Sequence, residues 1–153
     1  MNPSPSVGDI NADGELEVVV GSMDSKMYCL KASNGMLLWT YQTSGSILSS
    51  ASLGDVDGDN RLEIVFGSWD NNLYVLDEDG SLLWNYTTGG HVDSSPLLVD
   101  VDNDNKLEII FGSGDNSTYC LDIPSAGFRV YWEGEAGALS EHYFRTRNLI
   151  DAD

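Results

Sequence analysis

The feature that most constrains this chain is a threefold internal repeat. "GDINADGELEVVVGSMDSKMYCL" begins at Gly8, "GDVDGDNRLEIVFGSWDNNLYVL" begins at Gly54, and "VDVDNDNKLEIIFGSGDNSTYCL" begins at Val99. The offsets between these starts are 46 and 45 residues. Three copies this similar indicate one structural unit used three times, so each position can be compared with its equivalents within the molecule.

Each copy divides into four strand-sized pieces. A run of small residues such as "SPSVGD" is followed by a β-branched run such as "LEVVVGS", then by "KMYCL", and after a Gly turn by "MLLWTYQT". In the third copy "FRVYW" takes the last place. Four short strands in about 45 residues are typical of a β-propeller blade. We therefore predict an all-β fold of three four-stranded blades, at about residues 1–44, 45–89 and 90–132.

Three blades are too few for a closed ring, because known propellers have about 4 to 8. An open blade exposes an apolar face and unpaired strand edges, which favours association. We expect either a homo-oligomer, in which a two-fold dimer would give six blades, or the remainder of a larger propeller. The tail, residues 133–153, breaks the repeat. It could form a short helix, with Leu139 and Tyr143 one turn apart, or cap the open blade.

Acidic or amide side chains occupy positions 1, 3, 5 and 9 of a nine-residue loop in every copy. Alternating oxygen ligands around a tight turn, closed by a late carboxylate, suit Ca²⁺, which takes about 6 to 8 oxygens at about 2.3–2.6 Å. A backbone carbonyl at position 7 would add a ligand. Position 6 is Gly14, Asn60 or Asn105, residues that tolerate the left-handed conformation of a sharp turn. The predicted ligands are Asp9, Asn11, Asp13, Glu15 and Glu17 in the first loop, Asp55, Asp57, Asp59, Arg61 and Glu63 in the second, and Asp100, Asp102, Asp104, Lys106 and Glu108 in the third.

The alternative is an acidic turn without an ion, since Asp and Asn are ordinary turn residues. Repetition at the same four positions in three copies favours Ca²⁺, one ion per repeat. An EF-hand is excluded because its Glu at position 12 is replaced by Val20, Phe66 and Phe111. Mg²⁺ prefers water ligands, and the loops contain no His or Cys for Zn²⁺.

Composition excludes several classes of partner. The formal net charge is −18 with a pI near 4.1, which argues against binding nucleic acid or inserting into an anionic membrane. No apolar stretch approaches the roughly 20 residues of a transmembrane helix. The start, "MNPSPSVGD", lacks the charged and apolar regions of a signal peptide. This is compatible with a cytoplasmic chain or with a piece of a longer exported protein.

Equivalent positions also predict the roles of the cysteines and tryptophans. Cys29 and Cys120 are equivalent and two repeats apart, beyond the roughly 7 Å Cα separation that a disulfide allows, so we expect two buried free thiols. Val75 fills the same position in the middle copy, as expected where cysteine acts as a small hydrophobic residue. Trp39 and Trp84 are also equivalent, and we expect them to pack between neighbouring blades.

The acidic loop running into "IVFGS" resembles the FG-GAP or VCBS repeats of integrin-α-like propellers. The "SSP", "GSxDxxxYxLD" and "GxLLW" elements resemble the PQQ-like (quinoprotein-like) propeller repeats of surface proteins. The resemblance covers residues 3 to about 132. It implies that the loop carboxylates bind Ca²⁺ structurally and that the protein is extracellular or at the cell surface. Asn11 replaces the usual Asp, so the first loop should bind more weakly.

No catalytic constellation is evident. His91 and His142 lie outside any motif, and Ser140 beside His142 in sequence is not a triad, which is defined by geometry. We therefore expect a non-enzymatic, calcium-binding propeller module with an adhesion, recognition or scaffold role. The alternative is a fragment of a quinoprotein-like dehydrogenase or of a polysaccharide-degrading propeller enzyme.

The residue after each "GS" varies between the copies, while the flanking Ser and Asp recur. The variable residues are Met23, Trp69 and Gly114. A repeated framework with a variable tip is typical of recognition loops on a rigid scaffold. Trp69 could therefore stack on a glycan or a protein ligand, or it could pack against a neighbouring loop.

Overall fold

All regular structure in the described part of the chain is β-strand. The computed structural model describes residues 3–122 and the backbone of residues 129–135. The first sheet contains β1 (Ser6–Gly8), β2 (Glu17–Gly21), β3 (Lys26–Lys31) and β4 (Leu37–Gln42). The second sheet contains β5 (Ser52–Gly54), β6 (Glu63–Gly67), β7 (Asn72–Leu76) and β8 (Leu82–Thr87). The third sheet contains β9 (Leu97–Val99), β10 (Glu108–Gly112), β11 (Ser117–Asp122) and β12 (Arg129–Glu135).

Each sheet is an antiparallel meander whose strands pair in chain order. The pairing register shifts at the same place in all three sheets, directly after Cys29, Val75 and Cys120. The repeated irregularity shows that the three copies are one structural unit. β12 continues past residue 132, and the tail from residue 136 onward, with its predicted helix or cap, lies outside the described residues.

Two hydrophobic clusters hold the blades together, one at each junction. In the first, Met27 of the first sheet packs with Phe66 of the second and with Ile47 of the segment that joins the two sheets, and all three are fully buried. Trp39 packs against this cluster and Trp84 packs against the second, so the predicted packing of the tryptophans between blades is confirmed. The prediction of two free cysteines is also confirmed, since both thiols are unpaired and fully buried.

Hydrogen bonds between blades repeat with the same period as the sequence. The Ser4 N–H donates to Ser50 Oγ at 2.9 Å, and the Ser50 N–H donates to Ser95 Oγ at 3.0 Å. The blades approach so closely that a Cβ on Gly67 would lie 2.2 Å from the Val92 carbonyl oxygen. This regular, close packing fixes the loops of successive blades at equivalent positions.

The outward faces of the first and third blades are open. Val101 is 40% exposed, whereas its equivalents Ile10 and Val56, each covered by the next blade, are 1% and 4% exposed. On the other side, Val7 and Leu16 of the first blade are 55% and 52% exposed. The three blades are thus part of a propeller and not a closed ring. No helix in the described residues has the length and apolarity to cross a membrane.

Candidate metal centres

The acidic loops connect the first and second strand of each blade, and two left-handed residues bend each one. At position 6, Gly14, Asn60 and Asn105 have φ of 87°, 71° and 67°, as the residue types predict. Position 4 is also left-handed in every loop, with φ of 58°, 87° and 64° at Ala12, Gly58 and Asn103. This second bend was not predicted from the sequence, although Gly58 and Asn103 are residue types that favour it.

The aspartate at position 1 organises the backbone of each loop. Asp55 accepts hydrogen bonds from the N–H groups of Gly58 at 2.6 Å and Asn60 at 2.9 Å. Asp100 accepts equivalent bonds in the third loop, and Asp9 accepts two in the first. These bonds curl the backbone around one carboxylate, so the loop has a concave shape even without a bound ligand.

The glutamate at position 9 begins the second strand and is buried in all three blades. Glu63 and Glu108 are fully buried, and Glu17 is 4% exposed. In each case Oε2 accepts a hydrogen bond from the backbone N–H of position 2, at 2.9, 2.7 and 2.7 Å in chain order. One carboxylate oxygen of each glutamate is therefore used to close its own loop.

The other oxygen of Glu63 and of Glu108, Oε1, is buried without a hydrogen-bond partner. Leaving a buried polar atom unpaired costs about 1–3 kcal/mol, and more for a charged group. Burial, reinforced by the nearby charges of Asp57, Asp59 and Asp55, raises the pKa of Glu63 to about 7. Burial likewise raises the pKa of Glu108. Each of these oxygens lacks a positively charged or hydrogen-donating partner.

Two aspartates lie beside each of these glutamates. Oxygens of Asp55, Asp57 and Glu63 lie within 4.8 Å of one another, and those of Asp100, Asp102 and Glu108 do the same. Two ligands of a single Ca²⁺ can be at most about 5 Å apart, twice the metal–oxygen distance. The second and third loops therefore each bring three carboxylates close enough together to contact one hard cation.

The aspartate at position 5 is not part of either three-carboxylate group. Asp59 Oδ1 accepts the Arg61 N–H at 2.8 Å, and Asp59 Oδ2 lies 3.9 Å from Arg61 Nε. Asp104 has the same arrangement with Lys106, whose Nζ lies 3.8 Å from Asp104 Oδ2. The structure thus brings together positions 1, 3 and 9, while ligation by position 5 and by the position 7 carbonyl stays a prediction.

The first loop has the same backbone but a weaker donor set. Among the described residues no three-carboxylate group forms there, because Asn11 occupies position 3. Asn11 Nδ2 donates to Asp13 at 3.1 Å. Asn11 and Glu17 line a cavity of about 350 Å³ together with Cys29 and Trp39. Ion binding by the first loop stays a prediction, and we expect its affinity for calcium to be lower than that of the other two loops.

The recurring Ser and Asp of the tip loops, between the second and third strands, have a structural role. Asp70 accepts the Tyr74 hydroxyl at 2.8 Å and, across the blade junction, the Ser44 N–H at 2.9 Å. Asp115 makes the equivalent bonds to Tyr119 and to the Gly89 N–H at 2.7 and 2.8 Å. In the second and third tips the framework is therefore held across the blade junction, next to the variable residue.

Trp69, the variable residue of the second tip, stacks on His91. The two ring centroids are 5.0 Å apart and the planes are inclined by 15°. Trp69 remains 43% exposed, and His91 is exposed as well. Of the two sequence alternatives, packing against a neighbouring segment is therefore observed, with a large part of the indole still accessible. The partner was missed because it lies 22 residues away in sequence.

The fold and the repeated loops define a β-propeller protein. The family model described as the lambda-carrageenase beta-propeller domain matches residues 1–80, which is more than half of the chain. The chain belongs to this family. The family assignment supports the predicted propeller, while the narrower FG-GAP, VCBS or PQQ-like classes stay predictions.

Solved propeller-like structures agree on the fold. BamB from Moraxella catarrhalis is 19% identical with a TM-score of 0.60, covering 80% of this chain and 37% of that one. The PilY1 C-terminal domain from Pseudomonas aeruginosa is 18% identical with a TM-score of 0.61, covering 83% and 35%. BBS1N, in a complex with ARL6DN, is 13% identical with a TM-score of 0.64, covering 90% and 41%. This chain therefore spans about two fifths or less of each.

A curated relative matches over a short segment. The beta-alanine-activating enzyme of Danio rerio is 52% identical over 33 residues, which is 22% of this chain and 3% of that protein. A match of this length carries no argument about activity.

Proposed function

We propose that this chain is a calcium-stabilised segment of a β-propeller that presents recognition loops from a surface or secreted protein. The observation that carries the proposal is the pair of buried, unpartnered glutamate oxygens, Oε1 of Glu63 and Oε1 of Glu108, each beside two aspartates. A divalent cation supplies the missing partner for each oxygen. It also cancels the repulsion among carboxylates that the loop backbone holds together.

The geometry separates the metal loops from the recognition loops. Because the strands of each blade are antiparallel, the loop before the second strand and the loop after it lie at opposite ends of the sheet. The calcium loops therefore brace one face of the propeller, and the variable tips at Met23, Trp69 and Gly114 lie on the other. The role of the ions is structural, since a metal that binds only the folded state contributes its binding energy to folding.

Thermal unfolding with and without calcium tests this proposal. The chain, stripped of metal with a chelator, should melt at a lower temperature than the same sample in millimolar Ca²⁺, and Mg²⁺ at equal concentration should restore much less. At a calcium concentration one hundred times Kd, each site adds about 2.7 kcal/mol. Equal melting temperatures in chelator and in calcium would refute the proposal.

Weak calcium sites suit an extracellular location. Loops of this kind in extracellular modules bind with Kd near 10⁻⁴ to 10⁻³ M, which matches millimolar external calcium. The family name refers to a carrageenase, and PilY1 and BamB are bacterial proteins with a similar fold. These similarities support placing the protein outside the cell or in the envelope.

Further blades complete the ring in this proposal. The exposed Val101 occupies a position that the next blade buries in the other two repeats, so this face fits another copy of the same repeat. Either the remainder of a longer chain or a second copy could supply it. Light scattering distinguishes the two: a dimer of this chain supports assembly from copies, whereas a stable monomer supports completion by a longer chain.

A second candidate is a polysaccharide-degrading propeller enzyme. The membership of the lambda-carrageenase beta-propeller domain family favours it. Release of reducing ends from carrageenan by the purified protein, lost on boiling, would support this activity. Binding of the polysaccharide without turnover would instead support the recognition role.

A further inference from the structure

We propose that Trp69 and His91 form a glycan-binding platform that takes an uncharged pyranose ring. The pair lies on the face of the tip loops, opposite the calcium loops. This inference deepens the recognition role proposed above and rests on it.

The fold does not require an aromatic residue at either position. At the first blade junction the equivalents are Met23 and Ser46, and Ser46 Oγ donates to the Met23 carbonyl at 3.0 Å. At the second junction His91 Nδ1 lies 2.8 Å from the Trp69 carbonyl oxygen. A serine and a histidine thus make the same hydrogen bond. The backbone bonds around them are also repeated, since the Trp69 N–H donates to Ser46 and the Gly114 N–H donates to His91.

The fold therefore forms these hydrogen bonds without aromatic rings, and the rings of Trp69 and His91 are not needed for them. The rings stack on each other with planes inclined by 15°, so His91 holds the indole in place and the exposed part of the indole is a flat apolar surface on a rigid scaffold. Trp69 is 43% exposed although His91 stacks on it and holds it in place. The indole is therefore preorganised to contact a ligand. Preorganisation reduces the entropy lost when a ligand binds.

The hydrogen bonding of His91 defines a polar group beside this surface. A carbonyl oxygen can only accept, so Nδ1 carries the proton and donates to Trp69. In the neutral ring Nε2 is then an acceptor for a ligand hydroxyl. A flat apolar face next to a single directed acceptor matches a pyranose, which has C–H bonds on its faces and hydroxyls at its edge.

The negative charge of the chain disfavours an acidic sugar at this surface. Asp70 and Asp93 neighbour the pair in sequence, and the whole chain carries −18, so an anionic ring would be repelled. An indole also attracts cations, and binding of a cationic ligand is therefore one of the outcomes that the test below distinguishes.

Binding of neutral hexasaccharides built from glucose, mannose or galactose, measured by saturation-transfer NMR and tryptophan fluorescence, tests the platform. The matched variants are Trp69→Met and His91→Ser, each of which introduces the equivalent residue of the first blade junction. In His91→Ser the serine can donate to the Trp69 carbonyl as Ser46 donates to the Met23 carbonyl. Met23→Ala is the control at the equivalent tip. We expect at least one neutral hexasaccharide to bind, with affinity reduced at least tenfold in Trp69→Met, reduced in His91→Ser and unchanged in Met23→Ala.

Two results would overturn the platform. One is the absence of binding by all neutral hexasaccharides, or equal binding by Trp69→Met. The other is binding of a lysine-rich peptide or of a sulfated hexasaccharide but of none of the neutral ones. The calcium dependence of the melting temperature, measured on the same samples, reports separately on the proposed function. A protein that is calcium-stabilised but does not bind sugar would refute the platform alone.

Discussion

Replacing Glu63 with Gln should have opposite effects with and without calcium. Without metal at pH 8, the Glu63 side chain is ionised, fully buried and has one unpartnered oxygen. Its pKa is raised from the ordinary 4.5 to about 7, which corresponds to a cost on the order of 3 kcal/mol above pH 7. Glutamine is neutral and isosteric, keeps an acceptor for the Val56 N–H, and can donate to the aspartates beside it.

We therefore expect Glu63→Gln to stabilise the metal-free protein by about 1–3 kcal/mol, which is roughly 2–10 °C in melting temperature for a domain of this size. The same variant removes a charged metal ligand. Its gain in stability on adding calcium should be smaller than that of the wild type by up to about 2.7 kcal/mol, the contribution of one site at one hundred times Kd.

Paired melting curves in chelator and in calcium, recorded at pH 8, measure both effects. Glu17→Gln is the matched control, because Glu17 has the same position in a loop where Asn11 replaces one aspartate. It should change the calcium-dependent gain less than Glu63→Gln does. Destabilisation of the metal-free protein by Glu63→Gln, or a full calcium-dependent gain in the variant, would contradict this prediction.

Three further results should follow. In chelator, the free energy of unfolding should fall as pH rises from about 4.5 to about 7. The reason is that the pKa of Glu63 is higher in the folded state than in the unfolded state, so ionisation of Glu63 opposes folding. With calcium this fall should disappear. Asn11→Asp should complete a third carboxylate group and increase the number of tight calcium sites by one, measured by calorimetry. Cys29 and Cys120, buried with pKa values raised by burial to about 12, should react with a thiol reagent only on unfolding.

Much of the fold followed from the repeat. Three aligned copies predicted the all-β class and the equivalence of Trp39 with Trp84, and the separation of Cys29 from Cys120 predicted free thiols. These features depend on local pattern and on a period that the sequence displays directly. The open faces also followed, since three blades cannot close a ring.

The details of the site depend on side-chain directions and on contacts between distant segments, which the sequence does not display. Sequence spacing placed Asp59 among the ligands, but it could not show that this side chain turns toward Arg61. It also could not show that Glu63 Oε1 is sealed from solvent, because burial depends on tertiary packing. The Trp69–His91 pair joins a tip to a linker 22 residues away, and no local pattern reports such a contact.

Calcium titration of the metal-stripped protein by calorimetry measures directly whether the acidic loops bind calcium. We expect two sites of similar affinity, in the loops of Glu63 and Glu108, and a weaker third in the loop of Glu17. We also expect proton release on binding near pH 6, because the raised pKa of Glu63 leaves that group largely protonated beforehand. A titration showing no calcium binding at millimolar concentrations would rule out the proposed metal sites.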